Sequence, residues 1–248
     1  YKGVNGTTYA ESTTAPTNAG TYTASITLGG QTASTEYEIT KVDPVISWNG
    51  YPYGKSFTGS KIDSPAEGDI QIHDGKHNAL DLYDEITFVW YDATTGAKLD
   101  EAPIDAGSYI IEAQFKATEN TNAVSRRQEL TINKAALAGT GVPFTTTINI
   151  YPAASERTYE YSLADVMTNN SIRSGDELAV NQYGINCYGQ VKSAVVEDGK
   201  VKITMNPVSQ IAPGSHAGSV NVGLSSRNYQ QIPLTFDMEV VAKQTVED

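Results

Sequence analysis

Two histidines have a spacing that could bind a metal ion. His73 and His77 are separated by three residues, which on a helix would place both imidazoles on one face, as in many zinc sites. Between them lies Asp74-Gly75, a pair that favours a turn over a helix. The sequence therefore predicts a solvated loop here, and it predicts no metal-ligating residue.

Three carboxylates follow shortly after these histidines. Asp81, Asp84 and Glu85 could offer oxygen ligands to calcium, but they lack the alternating Asp/Asn and Gly pattern of a dedicated calcium-binding loop. A run of surface charge is the preferred interpretation, and weak calcium binding at a joint between domains remains the alternative. No cofactor is predicted.

Three aromatic residues are the candidate ligand-binding residues. Trp48, Tyr51 and Tyr53 flank Gly50 and Pro52, and aromatic side chains in loops can stack on the apolar faces of sugar rings. If this segment is instead a first strand, Trp48 fills the core. Proline cannot donate to a strand ladder, so Pro52 indicates an edge or a loop.

No set of residues indicates catalysis. The sequence shows no Ser-His-Asp arrangement, no nucleophile elbow, no glycine-rich phosphate loop and no Cys-x-x-Cys pair. Its one cysteine, Cys187, is interpreted as a core or half-exposed strand residue, and a single cysteine excludes an intrachain disulfide. Small secreted domains of animal proteins usually carry cysteine pairs. The absence of such pairs fits a bacterial surface protein or an intracellular one. The missing motifs predict no catalytic residue and no enzymatic activity.

Charge and hydropathy exclude two classes of partner. The net charge is −12 and no segment carries a basic patch, so neither nucleic acid nor an anionic membrane surface is an expected partner. No run of about 18 apolar residues is present, so no membrane insertion is predicted for this segment. The chain begins without a methionine or a signal peptide, and it is interpreted as an excerpt from a longer protein.

An eight-residue phrase occurs twice in the sequence and indicates how the chain is divided into repeats. Residues 15–22 read Ala-Pro-Thr-Asn-Ala-Gly-Thr-Tyr, and residues 102–109 read Ala-Pro-Ile-Asp-Ala-Gly-Ser-Tyr. Each copy precedes a run in which apolar and polar residues alternate. Each of these two units ends near a lysine, Lys41 or Lys134. Residues 212–220 hold a degenerate third copy. A period of about 90 residues indicates an array of similar domains.

Alternation of apolar and polar residues predicts a strand after each copy. A period of two places one set of side chains on a core face and the other set in water. In the third segment a hairpin is predicted over residues 191–205 with its turn at Asp198-Gly199, and a short helix over residues 162–167 with Ser162 as its cap. The predicted core positions of the first two strands are Tyr22, Ala24, Ile26 and Leu28, and then Tyr109, Ile111, Ala113 and Phe115.

Three segments follow from this pattern. Residues 1–43 are predicted to be the C-terminal half of an Ig-like repeat, residues 44–134 a complete Ig-like domain, and residues 135–248 a divergent Ig-like β-sandwich. Proline stiffens the short joint at residues 41–44, whereas the longer joint at residues 134–143 contains two glycines and is where bending is expected. The predicted fold class is all-β, with tandem Ig-like antiparallel β-sandwich domains in an elongated array.

These residues resemble the MBG-type Ig-like repeats found in tandem on bacterial surface proteins. The resemblance rests on the two copies of the phrase, the Thr-rich strand and the closing Ile-Thr-Lys after the first copy, and Val89-Trp90-Tyr91-Asp92 before the second. It covers residues 1–134 well and residues 135–248 only loosely. It implies an extracellular, non-catalytic stalk or adhesion module.

The repeated phrase also has a predicted structural role. Asp105-Ala-Gly-Ser-Tyr109 is similar to the tyrosine corner of Ig-like domains, in which a tyrosine hydroxyl bonds to nearby backbone. Tyr22 and Tyr109 are therefore predicted to be structural residues. Gly20 and Gly107 are expected to permit a turn with positive φ.

We expect a non-catalytic stalk or adhesion module of a bacterial cell-surface or secreted protein. Its expected partners are neighbouring Ig-like domains of the same chain. One alternative is binding of a host glycan or matrix protein through exposed aromatics, and another is an accessory domain of a secreted carbohydrate-active enzyme. A lysine–asparagine isopeptide crosslink is a further alternative that the sequence leaves open.

Overall fold

The chain folds almost entirely into β-strands. The computed structural model describes residues 1–136, 144–150, 155–185, 191–207 and 214–240. Most strand pairs are antiparallel, and one α-helix lies within the described residues. The predicted all-β class is therefore confirmed. Cys187 lies outside the described residues, so its predicted role stays a prediction.

The strands are numbered in chain order. The first ten are β1 (Lys2–Val4), β2 (Gly20–Leu28), β3 (Gln31–Ile39), β4 (Val45–Trp48), β5 (Gly54–Ser56), β6 (Ile70–His73), β7 (Thr87–Asp92), β8 (Lys98–Leu99), β9 (Gly107–Phe115) and β10 (Val124–Asn133). The remainder are β11 (Phe144–Ile150), β12 (Arg157–Ser162), helix α1 (Leu163–Asn169), β13 (Leu178–Ile185), β14 (Val191–Glu197), β15 (Lys200–Met205), β16 (Gly214–Ser226) and β17 (Ile232–Val240).

Two compact units contain these elements. The first comprises Tyr1–Tyr53, Ile62–Pro103 and Ser108–Leu130, and the second comprises Gly54–Lys61, Ile104–Gly107 and Thr131–Asp248. Two short segments from the middle of the chain thus belong with the C-terminal part. The domain boundaries drawn from the sequence stay a prediction.

A three-stranded antiparallel sheet in the order β1-β2-β3 begins the first unit. Tyr22 is 1% exposed, and its hydroxyl donates to the Asn18 carbonyl at 2.8 Å, which is the tyrosine-corner geometry. Gly20 has a positive φ of 158°, as the sequence predicts. Its lack of a side chain matters because a Cβ there would lie 2.6 Å from Thr7 Cγ2. Both the positive φ and the close approach therefore favour glycine at position 20, and Gly107 begins strand β9.

The far half of this sheet departs from the predicted burial. Period two places Ile26 and Leu28 on the same face as Tyr22, and the sequence predicts all three in the core. Tyr22 is buried, but Ile26 is 70% exposed and Leu28 is 83% exposed. The pattern correctly assigned the face, but no second sheet covers its outer half within the described residues.

A sandwich core forms the remainder of the first unit. Strands β7 to β10 form one sheet, in the order β10-β9-β7-β8, and β4 pairs with β6 in a second sheet. Ile46, Ile70 and Ile72 from the small sheet pack on Ala113 of β9. Trp90 of β7 is 5% exposed and fills the core.

One residue on the outer face of this sandwich is not in water as predicted. Glu112 alternates with Ile111 and Ala113, yet only 7% of it is exposed. Its carboxylate accepts hydrogen bonds from the Tyr91 hydroxyl at 2.8 Å and from Arg127 Nε at 3.0 Å. The Arg127 guanidinium lies 4.8 Å from the centroid of the Tyr91 ring. These neighbours bury the carboxylate and compensate for its desolvation.

Two sheets and one helix form the second unit. One sheet has the order β11-β17-β16-β13, with β11 parallel to β17, and the other has the order β12-β15-β14. Tyr161 and Phe236 bring the two sheets together with ring centroids 4.7 Å apart. The end of β10, at Thr131–Asn133, pairs in parallel with β5.

The local predictions for the third segment are confirmed. Strands β14 and β15 form the expected hairpin, and Asp198 and Gly199 take φ values of 50° and 69° at its turn. Helix α1 begins after Ser162, whose hydroxyl accepts a hydrogen bond from Asp165 N at 3.3 Å. Both elements depend on short-range sequence signals, which is why the pattern located them.

Candidate functional site

The three predicted ligand-binding aromatics do not form one exposed patch. Tyr51 is only 4% exposed, its hydroxyl donates to the Asp63 carbonyl at 2.8 Å, and burial raises its phenol pKa. Trp48 packs against the isoleucine core. Tyr53 is 72% exposed. Tyr51 is therefore a core residue, and only Tyr53 could stack fully on a ligand.

The two predicted loop histidines lie side by side. Their ring centroids are 5.0 Å apart. His73 ends β6, with Nδ1 2.8 Å from the Asp74 carbonyl and Nε2 3.4 Å from Ser47 Oγ, whereas His77 lies in the following turn with a φ of 67°. In the part of the chain that the structure describes, no group of three or more His, Cys, Asp or Glu could hold a metal ion.

An open groove of about 870 Å³ runs beside β6 in the first unit. Its apolar floor includes Ile70, Ile72 and Leu80, and its polar rim includes Gln71 and Asp81. Both histidines also line it, together with Asn49, Glu67 and Tyr83. The groove thus combines an apolar floor with amide and carboxylate groups, a pattern typical of small-molecule sites. Of the three clustered carboxylates, Asp81 reaches the groove, whereas Asp84 and Glu85 are exposed outside it.

A hydrogen-bonded junction joins the first sheet to the loop after β9. Val42 N donates to the Asn120 carbonyl at 2.8 Å, and Asn122 N donates to the Val42 carbonyl at 2.9 Å. Ala19 N donates to Asn120 Oδ1 at 2.8 Å, and Lys41 Nζ donates to the Thr118 carbonyl at 2.7 Å. We call this set the first asparagine junction. It uses both the repeated Asn-Ala-Gly phrase and the closing lysine.

The second unit contains the same arrangement. Ala135 N donates to the Asn228 carbonyl at 2.9 Å, and Gln230 N donates to the Ala135 carbonyl at 2.9 Å. Ala106 N donates to Asn228 Oδ1 at 2.7 Å, and Lys134 Nζ donates to the Ser226 carbonyl at 2.6 Å. This second asparagine junction therefore repeats the first one bond for bond. Again it uses the Asp-Ala-Gly phrase and the closing lysine.

A charged network strengthens the second junction. Arg173 donates to Asp105 at 2.7 Å and to Asp176 at 2.8 Å. Asn228 Nδ2 donates to the same two carboxylates, at 3.0 Å and 2.9 Å. Burial raises the pKa of Asp105, but the hydrogen bonds from Arg173 and Asn228 outweigh burial and hold that pKa below its usual value. Asp105 is therefore stabilised as a carboxylate.

Known proteins give only weak likenesses to this chain. No family model matches it, and no curated protein sequence matches it. Among solved structures, it is similar to the endo-fucoidan hydrolase MfFcnA4 from glycoside hydrolase family 107, at 12% identity and a TM-score of 0.27, over 91% of this chain and 34% of that chain. It is also similar to the Sidekick-1 immunoglobulin domains 1–5, at 15% identity and a TM-score of 0.27, over 91% of this chain and 46% of that chain.

A third structure is the Bacteroides ovatus mixed-linkage glucan utilization locus protein SGBP-B, solved with a mixed-linkage heptasaccharide. The identity is 10% and the TM-score 0.25, over 79% of this chain and 47% of that chain. The chain thus spans less than half the length of each of these three proteins. TM-scores in this range carry no argument about function. Among the described residues, no helix is both long and apolar enough to cross a membrane.

Sequence reasoning missed the residues that form the junctions. It identified Lys41 and Lys134 only as closing residues, and it did not single out Asn120 or Asn228. The available signal was that each asparagine lies in the loop after an Ala-Gly strand. The surrounding residues, Glu-Asn-Thr and Arg-Asn-Tyr, share too little for a repeat to be recognised.

Proposed function

We propose that this chain is a non-catalytic stalk module of a bacterial surface or secreted protein, built from tandem Ig-like repeats of the MBG type. The observation that carries the proposal is the repeated asparagine junction. Four hydrogen bonds of equal chemistry occur at two successive joints. At each joint, the N–H and the C=O of one residue are both hydrogen-bonded to a distant loop. Such a joint resists bending more than a linker without these bonds does.

The junction also explains the repeated phrase. The tyrosine corner orders the turn before β2, and in both junctions the alanine N–H of the phrase donates to the asparagine side chain. The phrase therefore serves both folding within a repeat and attachment of the next one. A spacer requires both roles, because its function is to hold successive folded domains in a fixed geometry.

Replacing Asn120 by alanine should loosen the first junction. The change removes the acceptor of Ala19 N and leaves the backbone bonds of Val42 in place. We expect a broader distance distribution between spin labels at Ser34→Cys and Thr94→Cys in a Cys187→Ser background, measured by double electron–electron resonance. Asn78→Ala is the matched control. Equally broad distributions in the parent and in Asn120→Ala would contradict a stiff joint.

Glycan binding is a second candidate function, and the groove beside β6 favours it. An apolar floor with amide and carboxylate groups on its rim suits the faces and hydroxyls of a sugar. We expect any glycan-array signal to be lost in the double variant Gln71→Ala/Asp81→Ala. The variant Tyr53→Ala distinguishes binding in the groove from binding to the exposed Tyr53 side chain, which does not line the groove. Loss of signal in Tyr53→Ala alone would place binding outside the groove.

A further inference from the structure

The turn after β6 brings two histidine rings close together. The ring centroids of His73 and His77 are 5.0 Å apart, and the ring planes are inclined at 37°. Two imidazoles that bind one metal ion in adjacent positions, each through a nitrogen at about 2.0–2.1 Å, have ring centroids about 5 Å apart. The observed separation therefore suits a shared ion, although the pair lies on a turn and not on a helix.

The backbone carbonyl of Asp74 positions both histidines. It lies 2.8 Å from His73 Nδ1, and it accepts a hydrogen bond from His77 N at 3.0 Å. The Asp74 carboxylate orders the rest of the turn, because it accepts hydrogen bonds from Lys76 N at 2.8 Å and from Asn78 N at 2.9 Å. The bonds of the turn itself therefore hold the two rings in place before any ligand binds.

The same carbonyl determines which nitrogen of His73 can bind a metal ion. A carbonyl oxygen only accepts, so Nδ1 carries the proton, and Nε2 of the neutral ring carries the lone pair. Histidines that bind metals in proteins usually donate their other N–H to a carbonyl or a carboxylate in this way. The contact of Nε2 with Ser47 Oγ is long, at 3.4 Å, and a metal ion can replace it.

We propose that His73 and His77 together bind one divalent transition-metal ion, Cu²⁺ more tightly than Zn²⁺. Imidazole nitrogens favour these ions over calcium and magnesium, which take oxygen ligands. Both rings line the groove beside β6, so the bound ion is open to that groove. In the part of the chain that the structure describes, no third His, Cys, Asp or Glu completes a metal-binding group. Water or a molecule in the groove therefore supplies the remaining ligands.

Calorimetric titration with CuCl₂ and ZnCl₂ tests this site. The chain carries Cys187→Ser and no polyhistidine tag, so that neither a thiol nor added histidines compete for the ion. This parent should bind one Cu²⁺ ion, and Ca²⁺ should not displace it. The double variant His73→Gln/His77→Gln should weaken Cu²⁺ binding by more than about tenfold, because even the outer-shell partner of a metal ligand contributes about 10- to 100-fold. His216→Gln, which replaces the third histidine of the sequence, is the matched control and should bind like the parent.

Electron paramagnetic resonance identifies the ligands independently. The spectrum of bound Cu²⁺ should show coupling to two imidazole nitrogens in the parent and in His216→Gln, and to one in His77→Gln. Circular dichroism checks that every variant remains folded. A parent that does not bind Cu²⁺, binding that survives the double variant, or an equal loss in His216→Gln would each overturn the proposal.

Discussion

Replacing Asn228 by alanine should destabilise the second unit by about 3 kcal/mol. Asn228 is 1% exposed, and its side chain makes three hydrogen bonds, one from Ala106 N and one to each of Asp105 and Asp176. The Asp176 side chain is only 4% exposed. The alanine variant leaves a buried N–H without an acceptor and a buried carboxylate with one donor fewer, so the loss exceeds that of an exposed hydrogen bond.

Urea unfolding monitored by two spectroscopic probes can show which unit loses stability. Both tryptophans, Trp48 and Trp90, lie in the first unit, so their fluorescence reports on that unit, whereas circular dichroism reports on both. Asn228→Ala should lower the dichroism midpoint more than the fluorescence midpoint. Asn221→Ala, at an exposed position of β16, is the control and should shift neither by more than about 0.5 kcal/mol. A variant with unchanged midpoints would show that the junction contributes little.

Replacing Glu112 by glutamine should destabilise the first unit by about 2 kcal/mol at neutral pH. Burial raises the pKa of Glu112, but hydrogen bonds from Arg127, Tyr91 and Gln114 outweigh burial and lower the pKa to about 2. The folded state therefore holds the carboxylate more tightly than the unfolded chain does. Glutamine keeps the shape but loses the charge that Arg127 pairs with.

The pH dependence of this effect has a definite sign. Because the folded pKa is lowered, the contribution of Glu112 is complete above the ordinary glutamate pKa and is lost as pH falls from about 4.5 towards 2. The stability difference between the parent and Glu112→Gln should therefore shrink over that window, as measured by the tryptophan fluorescence midpoint. Glu129→Gln, at an exposed position of the neighbouring strand β10, should show no such difference. If the stability difference between the parent and Glu112→Gln stayed constant from pH 7 to pH 3, the Glu112 carboxylate would not have the stabilising role assigned to it.

The sequence predicted the features that depend on neighbouring residues. Period-two alternation located β2 and β9, the Asp198-Gly199 pair located a hairpin turn, and Ser162 located the start of the helix. Each of these signals acts within a few residues, because backbone conformation and capping are local. The tyrosine corner is local as well, since Tyr22 bonds to a carbonyl four residues earlier.

Only the tertiary structure decided which surfaces are covered and which loops meet. Alternation assigned Ile26 to the face of Tyr22, but burial of that face depends on a second layer that the strand itself does not encode. Glu112 was expected in water, and it is buried because Tyr91 and Arg127 lie on adjacent strands. The two junctions join residues 101 and 122 positions apart, as between Ala19 and Asn120. Contacts at such separations follow from the packing of whole sheets, and no periodicity within either segment specifies them.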